Sequence, residues 1–327
     1  MSNLLKKINR RIQMTRKTYS EDIQFSKALA NYRMFDELCW RLHLTKISSH
    51  FHLKKDEWIL NYLKDKLNMV LEKFKQDDYV GDSDSTCPIW VCWWSGEEDA
   101  PELVKQCIRS IRKNAGKHQV NLISEKNYSD YLDIPDYILS KVNSGAMCIA
   151  HFTDYLRVSL IEKYGGLWLD ATIFCSSTIP DEYFEKSFFT CKSELVASSR
   201  YLSQFRWTGF CLGGWKNHVF FRYLKESFEY YWRTETSAID YLLMDYLFET
   251  AYRNLPAVRY CMDDVMPNNL HRDDLQAAMN ATLPASMWNT VLKDDTVLYK
   301  LSWRETYLLE TEGREPSIFA YYLNMQI

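Results

Sequence analysis

Three charged residues around the segment EKYGGLWLDATIF, residues 162–174, have types and a spacing that suit ligand chemistry. Asp170 directly follows the apolar run LWL, and Asp154 and Arg157 precede it, three residues apart. Side chains three residues apart share one face of a helix. A carboxylate can bind a hard divalent cation, and a guanidinium offers a planar set of donors to hydroxyls or phosphates. These residues therefore suit a site for a phosphorylated or hydroxyl-rich ligand.

The same spacing has a simpler interpretation, which the residues alone leave open. Asp154 and Arg157 could form an ion pair on a helix surface, where such pairs contribute little to stability. Asp170 could cap a turn at the end of a strand. The elements that carry the three residues therefore decide whether they meet in one cleft.

The apolar patterns from residue 88 to residue 175 predict alternating strands and helices. Short runs rich in β-formers indicate buried strands, and apolar residues at helical spacing indicate amphipathic helices. The predicted order is a strand at 88–94, a helix at 101–114, a strand at 118–124, a short helix after Pro135, a helix at 148–164 that the glycine pair ends, and a strand at 167–169. This order is typical of an α/β fold with a mainly parallel sheet, in which ligands bind beyond the carboxyl ends of the strands.

The chain divides into two predicted regions. Residues 1–76 form a helical and basic N-terminal extension, and the turn-rich stretch at 76–86 marks a boundary. Residues 86–327 form the α/β domain. In its second half, strand-like pieces alternate with amphipathic helices at about 217–233 and 238–253.

Charge is unevenly distributed along the chain. The whole sequence has a net charge of −3, whereas residues 1–76 carry +8 and the remainder carries −11. Residues 1–17 contain six Lys and Arg and no acidic residue. A solvated helix face is the simpler interpretation of this basic start, and contact with an anionic membrane surface is the alternative. Nucleic acid is not an expected partner, because the chain as a whole is slightly acidic.

Several functional classes are disfavoured by what the sequence lacks. No apolar stretch of about 20 residues could span a bilayer, and the N-terminus has no apolar secretion signal. The nine cysteines are scattered without a CxxC pair, as in a cytosolic protein with reduced thiols. The signatures GxGxxG, GxxxxGK[ST] and GxSxG do not occur. We therefore expect a cytoplasmic protein, free or peripheral on the inner face of the cell membrane.

A resemblance to a known family rests on two stretches, PIWVCWWSGEEDAPELVKQCIRSI and HFTDYLRVSLIEKYGGLWLDATIF. They resemble the capsular polysaccharide synthesis proteins, which are similar to glycosyltransferase family 32, with its signature D-x-x-R followed by G-G-x-[WY]-x-D-x-D. The resemblance covers roughly residues 86–310 and is most specific over residues 148–175. It implies a GT-A fold, which is a nucleotide-binding α/β sandwich. It also implies sugar transfer from a nucleotide sugar, most often a UDP-sugar, with retention of the anomeric configuration.

The resemblance implies roles for four residues. Asp154 and Arg157 would hold the donor sugar, and Asp170 would be the first carboxylate of the D-x-D motif. The second carboxylate is replaced by Thr172, whose neutral hydroxyl is a weaker metal ligand. In the family a divalent cation bridges the donor diphosphate, so we expect Mn²⁺ or Mg²⁺ here, bound by Asp170 and Thr172. The cation and Arg157 would stabilise the negative charge that develops on the leaving phosphate.

Further donor contacts are implied at the end of the first strand and near the C-terminus. In the family a tryptophan at that strand end stacks on the base, and Trp93 and Trp94 both match. Alternation along the strand should bury one of the two, and we favour Trp94 for the base. Gly96 would let the backbone approach the ligand closely. The remaining implied donor-site residues are Leu169, Ser302 and Trp303.

Two of the implied roles compete with simpler alternatives. Ser302 would supply an oxygen to the cation that Thr172 binds weakly, whereas a core strand is the alternative for YKLSWRE, residues 299–305. Asp240 is our expected acceptor-binding and catalytic residue on the stretch AIDYLLMDYLF. A solvated helix face is at least as good an interpretation for Asp245.

Three functions follow from these residues and from the resemblance. The first is a retaining glycosyltransferase that extends a glycan or glycolipid acceptor in the synthesis of a capsule or another surface polysaccharide. The second is a sugar-1-phosphate transferase of capsule assembly, which would cleave the phosphoanhydride instead. The third is a non-catalytic scaffold that binds glycan, which the replacement of the second D-x-D carboxylate by Thr172 leaves open.

Overall fold

A five-stranded mixed sheet lies at the centre of the protein, in a computed structural model that describes residues 13, 15, 18–84, 86–194, 196, 199–282, 291–310, 313 and 315–324. The strands of the sheet are β1 Ile89–Cys92, β2 Val120–Ile123, β3 Gly166–Asp170, β5 Phe188–Thr190 and β6 Cys211–Gly214. A separate two-stranded ladder joins β4 Ile173–Cys175 to β7 Leu298–Lys300.

The strand order in the central sheet is β2-β1-β3-β6-β5. β1 pairs in parallel with β2 and with β3, whereas β6 is antiparallel to both of its neighbours, β3 and β5. Four of the five strands therefore point the same way. This arrangement confirms the expected α/β class with a mainly parallel sheet.

Helices cover both faces of the sheet and extend the fold at the N-terminal side. Their bounds are α1 Lys27–Arg41, α2 Thr45–Lys66, α3 Asn68–Phe74, α4 Glu102–Asn114, α5 Asp136–Asn143, α6 Ile149–Tyr164, α7 Glu182–Glu185, α8 Val219–Thr234, α9 Leu243–Asn254, α10 Pro256–Asp264, α11 Asp274–Ala278 and α12 Ile318–Asn324. Residues 18–25 are also helical. The predicted helices at 101–114 and 148–164 are confirmed within one residue, whereas the one placed at 238–253 begins only at Leu243.

Alternation along the strands divides the interior into two hydrophobic cores. Ile89 and Val91 of β1 pack on one face with α4 and α12, whereas Trp90 packs on the other face with α6 and α8. On β3, Trp168 likewise faces the α6 side, and its two leucine neighbours face the α4 side. This period of two, in strands that are buried on both faces, is why the runs IWV and LWL contain no polar residue.

The N-terminal helices share one of these cores. Leu29 of α1 and both Ile59 and Leu63 of α2 are fully buried in the cluster that also contains Leu247 of α9. The proposed boundary near residues 76–86 stays a prediction, since helices on both of its sides contribute to that cluster. The basic segment 1–17 lies outside the described residues except for positions 13 and 15, and so does the membrane contact predicted for it. None of the helices in the described ranges has the length and apolar character needed to cross a bilayer.

The glycine pair makes a sharp connection between α6 and β3. Gly165 ends α6 with a φ of +70°, and its N–H donates to Ile161 O at 2.8 Å. Gly166 follows with a φ of +103°, and a Cβ added there would lie 2.1 Å from Pro88 O. Only glycine combines this conformation with so close an approach to the neighbouring strand. The pair therefore sets where β3 starts beside β1, and so where β3 ends.

Candidate active site

The ends of β1 and β3 meet at one edge of the sheet. The parallel register places Cys92, the last residue of β1, opposite Asp170, the last residue of β3. After β1 the chain forms a turn, in which Gly96 N–H donates to Trp93 O at 2.9 Å. Residues that follow both strands therefore surround the same region, as expected for ligand sites in α/β sheets.

Helix α6 brings Asp154 and Arg157 to this edge. The buried Arg157 guanidinium has its Nη2 at 3.3 Å from Asp154 Oδ1 and at 3.4 Å from Asp170 Oδ1. Its Nη1 donates to the backbone oxygen of Gly209, and its Cζ lies 4.8 Å from the ring centroid of Trp168. The predicted convergence of the three charged residues is present, and Arg157 lies between the two carboxylates.

A lysine that the sequence interpretation did not include completes the cluster. Lys300 Nζ donates to Asp170 Oδ2 at 2.9 Å and to Thr172 Oγ1 at 2.6 Å. The antiparallel ladder places Lys300 opposite Ile173, and Leu301 N–H donates to Thr172 O at 2.9 Å. The lysine lies within YKLSWRE, two positions before Ser302. The resemblance implies roles for the serine and the tryptophan of that segment, and only the strand pairing shows that its lysine reaches Asp170.

The charges around Asp170 keep its carboxylate ionised. Burial raises the pKa of the carboxyl, but the ammonium of Lys300 and the guanidinium of Arg157 outweigh burial and lower the pKa to about 2. Trp168 Nε1–H also donates to Asp170 Oδ1 at 3.0 Å. Both oxygens of the carboxylate therefore already have donors within the protein.

Asp154 has the opposite tendency. Burial raises the pKa of its carboxyl to about 6, and the nearby Asp245 and Asp170 add to that rise, although Arg157 and His151 lower it. Near neutral pH the carboxyl group is ionised, but its pKa of about 6 lies close to neutral pH. This makes Asp154 a suitable acceptor or donor for a ligand hydroxyl.

We predict that Asp154 makes the stability of the protein depend on pH. Its folded-state pKa of about 6 exceeds the ordinary value of 3.8, so the folded state holds the proton more tightly than the unfolded chain does. Protonation therefore stabilises the fold, and this contribution is lost as the pH rises through 6. Relative to Asp154→Asn, the wild type should lose about 2–3 kcal/mol of unfolding free energy between about pH 4 and pH 7. Urea unfolding of both proteins across this range measures the difference, and parallel curves would contradict the prediction.

Asp245 on α9 is a site residue that sequence reasoning missed. Its Oδ1 accepts from Trp207 Nε1–H at 3.0 Å, and its charge acts on that of Asp154. Burial raises the pKa of Asp245, while Trp207 and Arg157 lower it in part. The solvated-face interpretation therefore does not describe Asp245. Its position along α9 gave no signal, because its partner Trp207 lies on a distant loop.

Asp240 makes its hydrogen bond and ion pairs away from this cluster, although its charge helps to raise the pKa of Asp245. Its Oδ2 lies 3.0 Å from Arg33 Nη1 and 3.9 Å from Lys55 Nζ, and both cations belong to the N-terminal helices. Its Oδ1 accepts from Leu242 N–H at 2.9 Å. The carboxylate therefore links α1 and α2 to the loop before α9. An acceptor-binding role for Asp240 stays a prediction that these contacts do not support.

The aromatic residues beside the cluster form two separate contacts. Trp93 lies edge-on to Trp303, with ring centroids 5.7 Å apart, whereas Trp94 packs against Tyr128 and Phe152. Both tryptophans of the pair at 93–94 are half-buried, so neither is fully in the core. The structure thus brings two predicted donor-site residues, Trp93 and Trp303, together. Which tryptophan contacts a base stays a prediction.

The other predicted donor-site residues differ in how they reach the site. Gly96 has a φ of +89° and nothing within 4 Å of an added Cβ, so there is open space beside its backbone. Leu169 is fully buried in the core, so only its backbone is near the strand end. Ser302 Oγ accepts from Arg304 N–H at 3.3 Å, and Ser302 N–H donates to Gln276 at 2.7 Å. Ser302 therefore has hydrogen-bond partners in Gln276 and Arg304, and neither contact is with Asp170.

The donor set does not fit a divalent cation as it is arranged. Among the described residues, no group of three or more His, Cys, Asp or Glu side chains is placed to hold a metal ion. Asp170 and Thr172 share the ammonium of Lys300 instead, and a divalent cation at the same oxygens would be repelled by that charge. The expectation of Mn²⁺ or Mg²⁺ stays a prediction, and the contacts of Lys300 with the same oxygens do not favour it.

Comparison with known proteins bears on the same region. The model of the family described as capsular polysaccharide synthesis protein matches residues 40–322, which include every residue of the cluster. The chain belongs to this family. The match extends the resemblance upstream of residue 86, into the helices that precede the sheet.

The similarity to a solved glycosyltransferase structure is low. The PaToxG glycosyltransferase aligns with 14% sequence identity and a TM-score of 0.34, covering 64% of this chain and 90% of that one. A similarity this low carries no argument about the site. No curated protein sequence matches the chain.

Proposed function

We propose that this capsular polysaccharide synthesis protein is a retaining glycosyltransferase with a GT-A-type fold. It would move a sugar from a nucleotide-sugar donor to a glycan or glycolipid acceptor of a capsule or another surface polysaccharide. The expected donor is a UDP-sugar. The observation that carries the proposal is the convergence of Asp154, Arg157 and Asp170 at the edge where β1 and β3 end.

The chemistry of the cluster suits the two halves of such a donor. Arg157 and Lys300 place two cations around Asp170, and the partly exposed Lys300 is the one that a diphosphate would contact. Asp154 can accept from, or donate to, the hydroxyls of a sugar. The ring pair of Trp93 and Trp303 offers a flat apolar partner for a base.

The proposed reaction needs no covalent intermediate with the protein. The bond between the anomeric carbon and the β-phosphate oxygen breaks, and its electron pair stays on that oxygen. The acceptor hydroxyl oxygen bonds to the anomeric carbon on the same face, and its proton passes to the leaving phosphate. The products are the extended glycan and a nucleoside diphosphate. Cations beside the phosphate lower the barrier because negative charge develops there.

The two other functions remain distinct proposals with distinct products. A sugar-1-phosphate transferase would use the same cations but release a nucleoside monophosphate. A scaffold would bind glycan and release no nucleotide at all. The product released therefore distinguishes the three functions.

A screen of nucleotide sugars tests the proposed function. The protein is incubated with UDP-, GDP-, CMP- and dTDP-activated sugars, each with and without Mn²⁺, and the nucleotide released is identified by chromatography. We expect slow hydrolysis of one donor class with release of the nucleoside diphosphate. Release of the monophosphate from a diphosphate-linked donor would favour phosphosugar transfer, and no turnover with any donor would favour the scaffold.

The cellular setting of the reaction is part of the proposal. We place it on the cytoplasmic side, where nucleotide sugars are made, with the basic segment 1–17 at an anionic membrane surface. The acceptor would then be presented at that surface.

A further inference from the structure

The ammonium of Lys300 contacts both residues that match the carboxylates of the D-x-D pattern. It is within hydrogen-bond distance of the first and third residues of that pattern, at 2.9 Å from Asp170 Oδ2 and 2.6 Å from Thr172 Oγ1. The ladder between β4 and β7 holds this geometry, because Lys300 lies opposite Ile173. A cation is thus built into the chain where the family's cation would bind.

We propose that Lys300 binds the donor diphosphate and makes the protein independent of divalent cations. This inference rests on the proposed function and specifies how its donor is held. Lys300 and Arg157 would flank the diphosphate, while Asp170 positions the two cations instead of acting as a metal ligand. As the bond to the sugar breaks, the ammonium would stabilise the electron pair left on the phosphate oxygen.

The donor capacity of Lys300 leaves room for a ligand. An ammonium has three N–H donors, and Asp170 and Thr172 account for two of them. The side chain is 27% exposed, so the third donor is accessible to a group from outside the chain. The nearest aromatic contact is the ring of Phe210, whose centroid lies 5.2 Å from Nζ and which cannot accept as strongly as a phosphate oxygen.

The replacement of the second carboxylate agrees with this arrangement. A divalent cation needs several oxygen ligands, and an aspartate at position 172 would supply one. The hydroxyl of Thr172 instead accepts a hydrogen bond from Lys300. An aspartate there would place a second carboxylate beside the first, which suits a doubly charged ion better than a single ammonium. Threonine and lysine therefore form a matched pair.

Nucleotide binding tests this proposal without requiring turnover. Isothermal titration with UDP and with GDP is compared in EDTA and in excess MnCl₂, for the wild type, Lys300→Met and Lys300→Arg. We expect the Kd of the preferred nucleotide for the wild type to change by less than about threefold between the two conditions. Loss of a hydrogen bond to a charged group raises a Kd about tenfold or more, so Lys300→Met should weaken nucleotide binding by at least that factor. Lys300→Arg keeps a cation at this position and should bind the nucleotide nearly as tightly as the wild type does. Lys186→Met, which removes an exposed lysine paired with Asp264, is the matched control and should bind as the wild type does.

A double variant provides the converse measurement. Thr172→Asp combined with Lys300→Ala restores the D-x-D pattern and removes the competing charge, so it should bind Mn²⁺, and its nucleotide affinity should depend on that ion. Titration with Mn²⁺ alone compares this variant with the wild type, which should bind the ion at least about tenfold more weakly.

The outcomes separate this inference from the proposed function. Wild-type nucleotide affinity that rises tenfold or more with Mn²⁺, or Mn²⁺ binding by the wild type as tight as by the double variant, would overturn the role of Lys300. If neither nucleotide binds under any condition, the nucleotide-sugar function loses its support. The titration with Mn²⁺ alone still decides whether Lys300 excludes the ion.

Discussion

Asp170→Asn is expected to lower kcat/KM for sugar transfer by about 100- to 1000-fold, the range seen when a charge-stabilising group of an active site is removed. The neutral amide keeps the shape of the carboxylate but loses its charge. Each of Lys300 and Arg157 contacts a different oxygen of Asp170, so the change removes the carboxylate paired with Lys300 and leaves Arg157 with Asp154 alone. Repulsion would move at least one of them out of place.

The measurement is the initial rate of nucleoside diphosphate release with the donor found in the screen, for folded protein checked by circular dichroism. Asp264→Asn is the matched control, because it removes a carboxylate from an exposed pair with Lys186 and should leave the rate unchanged. A folded Asp170→Asn protein with kcat/KM within about twofold of the wild type would remove Asp170 from the reaction.

Gly166→Ala is expected to destabilise the protein by more than about 3 kcal/mol, because it combines an unfavourable φ with a backbone clash. The φ of +103° is one that residues with a Cβ rarely adopt. The added Cβ would also lie 2.1 Å from Pro88 O, a backbone atom that cannot rotate away. Relief requires β3 to move relative to β1, which also displaces Asp170 from the end of the strand.

Gly145→Ala separates the cost of the unfavourable φ from the cost of the backbone clash. Gly145 has a φ of +75° but nothing within 4 Å of an added Cβ, so only the conformational cost of about 1–2 kcal/mol applies. Urea unfolding of both variants should show the larger loss for Gly166→Ala. Equal losses would mean that the contact with Pro88 does not constrain the strand pair.

Much of the region around the cluster could be predicted because it is local in the chain. The helix at 149–164, its glycine stop and the strand at 166–170 follow one another, and each has its own pattern of apolar residues. Asp154 and Arg157 lie one helical turn apart, so their common face follows from helix geometry alone. Family resemblance adds roles to these positions but does not change where they lie.

The boundaries and partners of other residues could not be predicted in the same way. The helix expected at 238–253 begins at Leu243, so Asp240 lies in the loop before it and contacts Arg33 instead of the cluster. Asp245, one turn further on, faces Trp207. Asp245, and not the expected Asp240, therefore lies at the cluster. The apolar pattern does not locate the start of a helix to within a few residues, so it could not distinguish the two aspartates.

Local order along the chain was therefore enough to predict the glycine turn, the strand that ends in Asp170 and the Asp–Arg pair on the preceding helix. The ammonium beside that aspartate depended on long-range pairing, because Lys300 lies 130 residues away and reaches Asp170 and Thr172 only through the ladder of β4 with β7. Periodicity shows which face of a strand is buried, but it carries no information about which distant strand will pair with it. For this reason neither the apolar pattern nor the resemblance indicated that the ammonium of Lys300 lies beside Asp170 and Thr172.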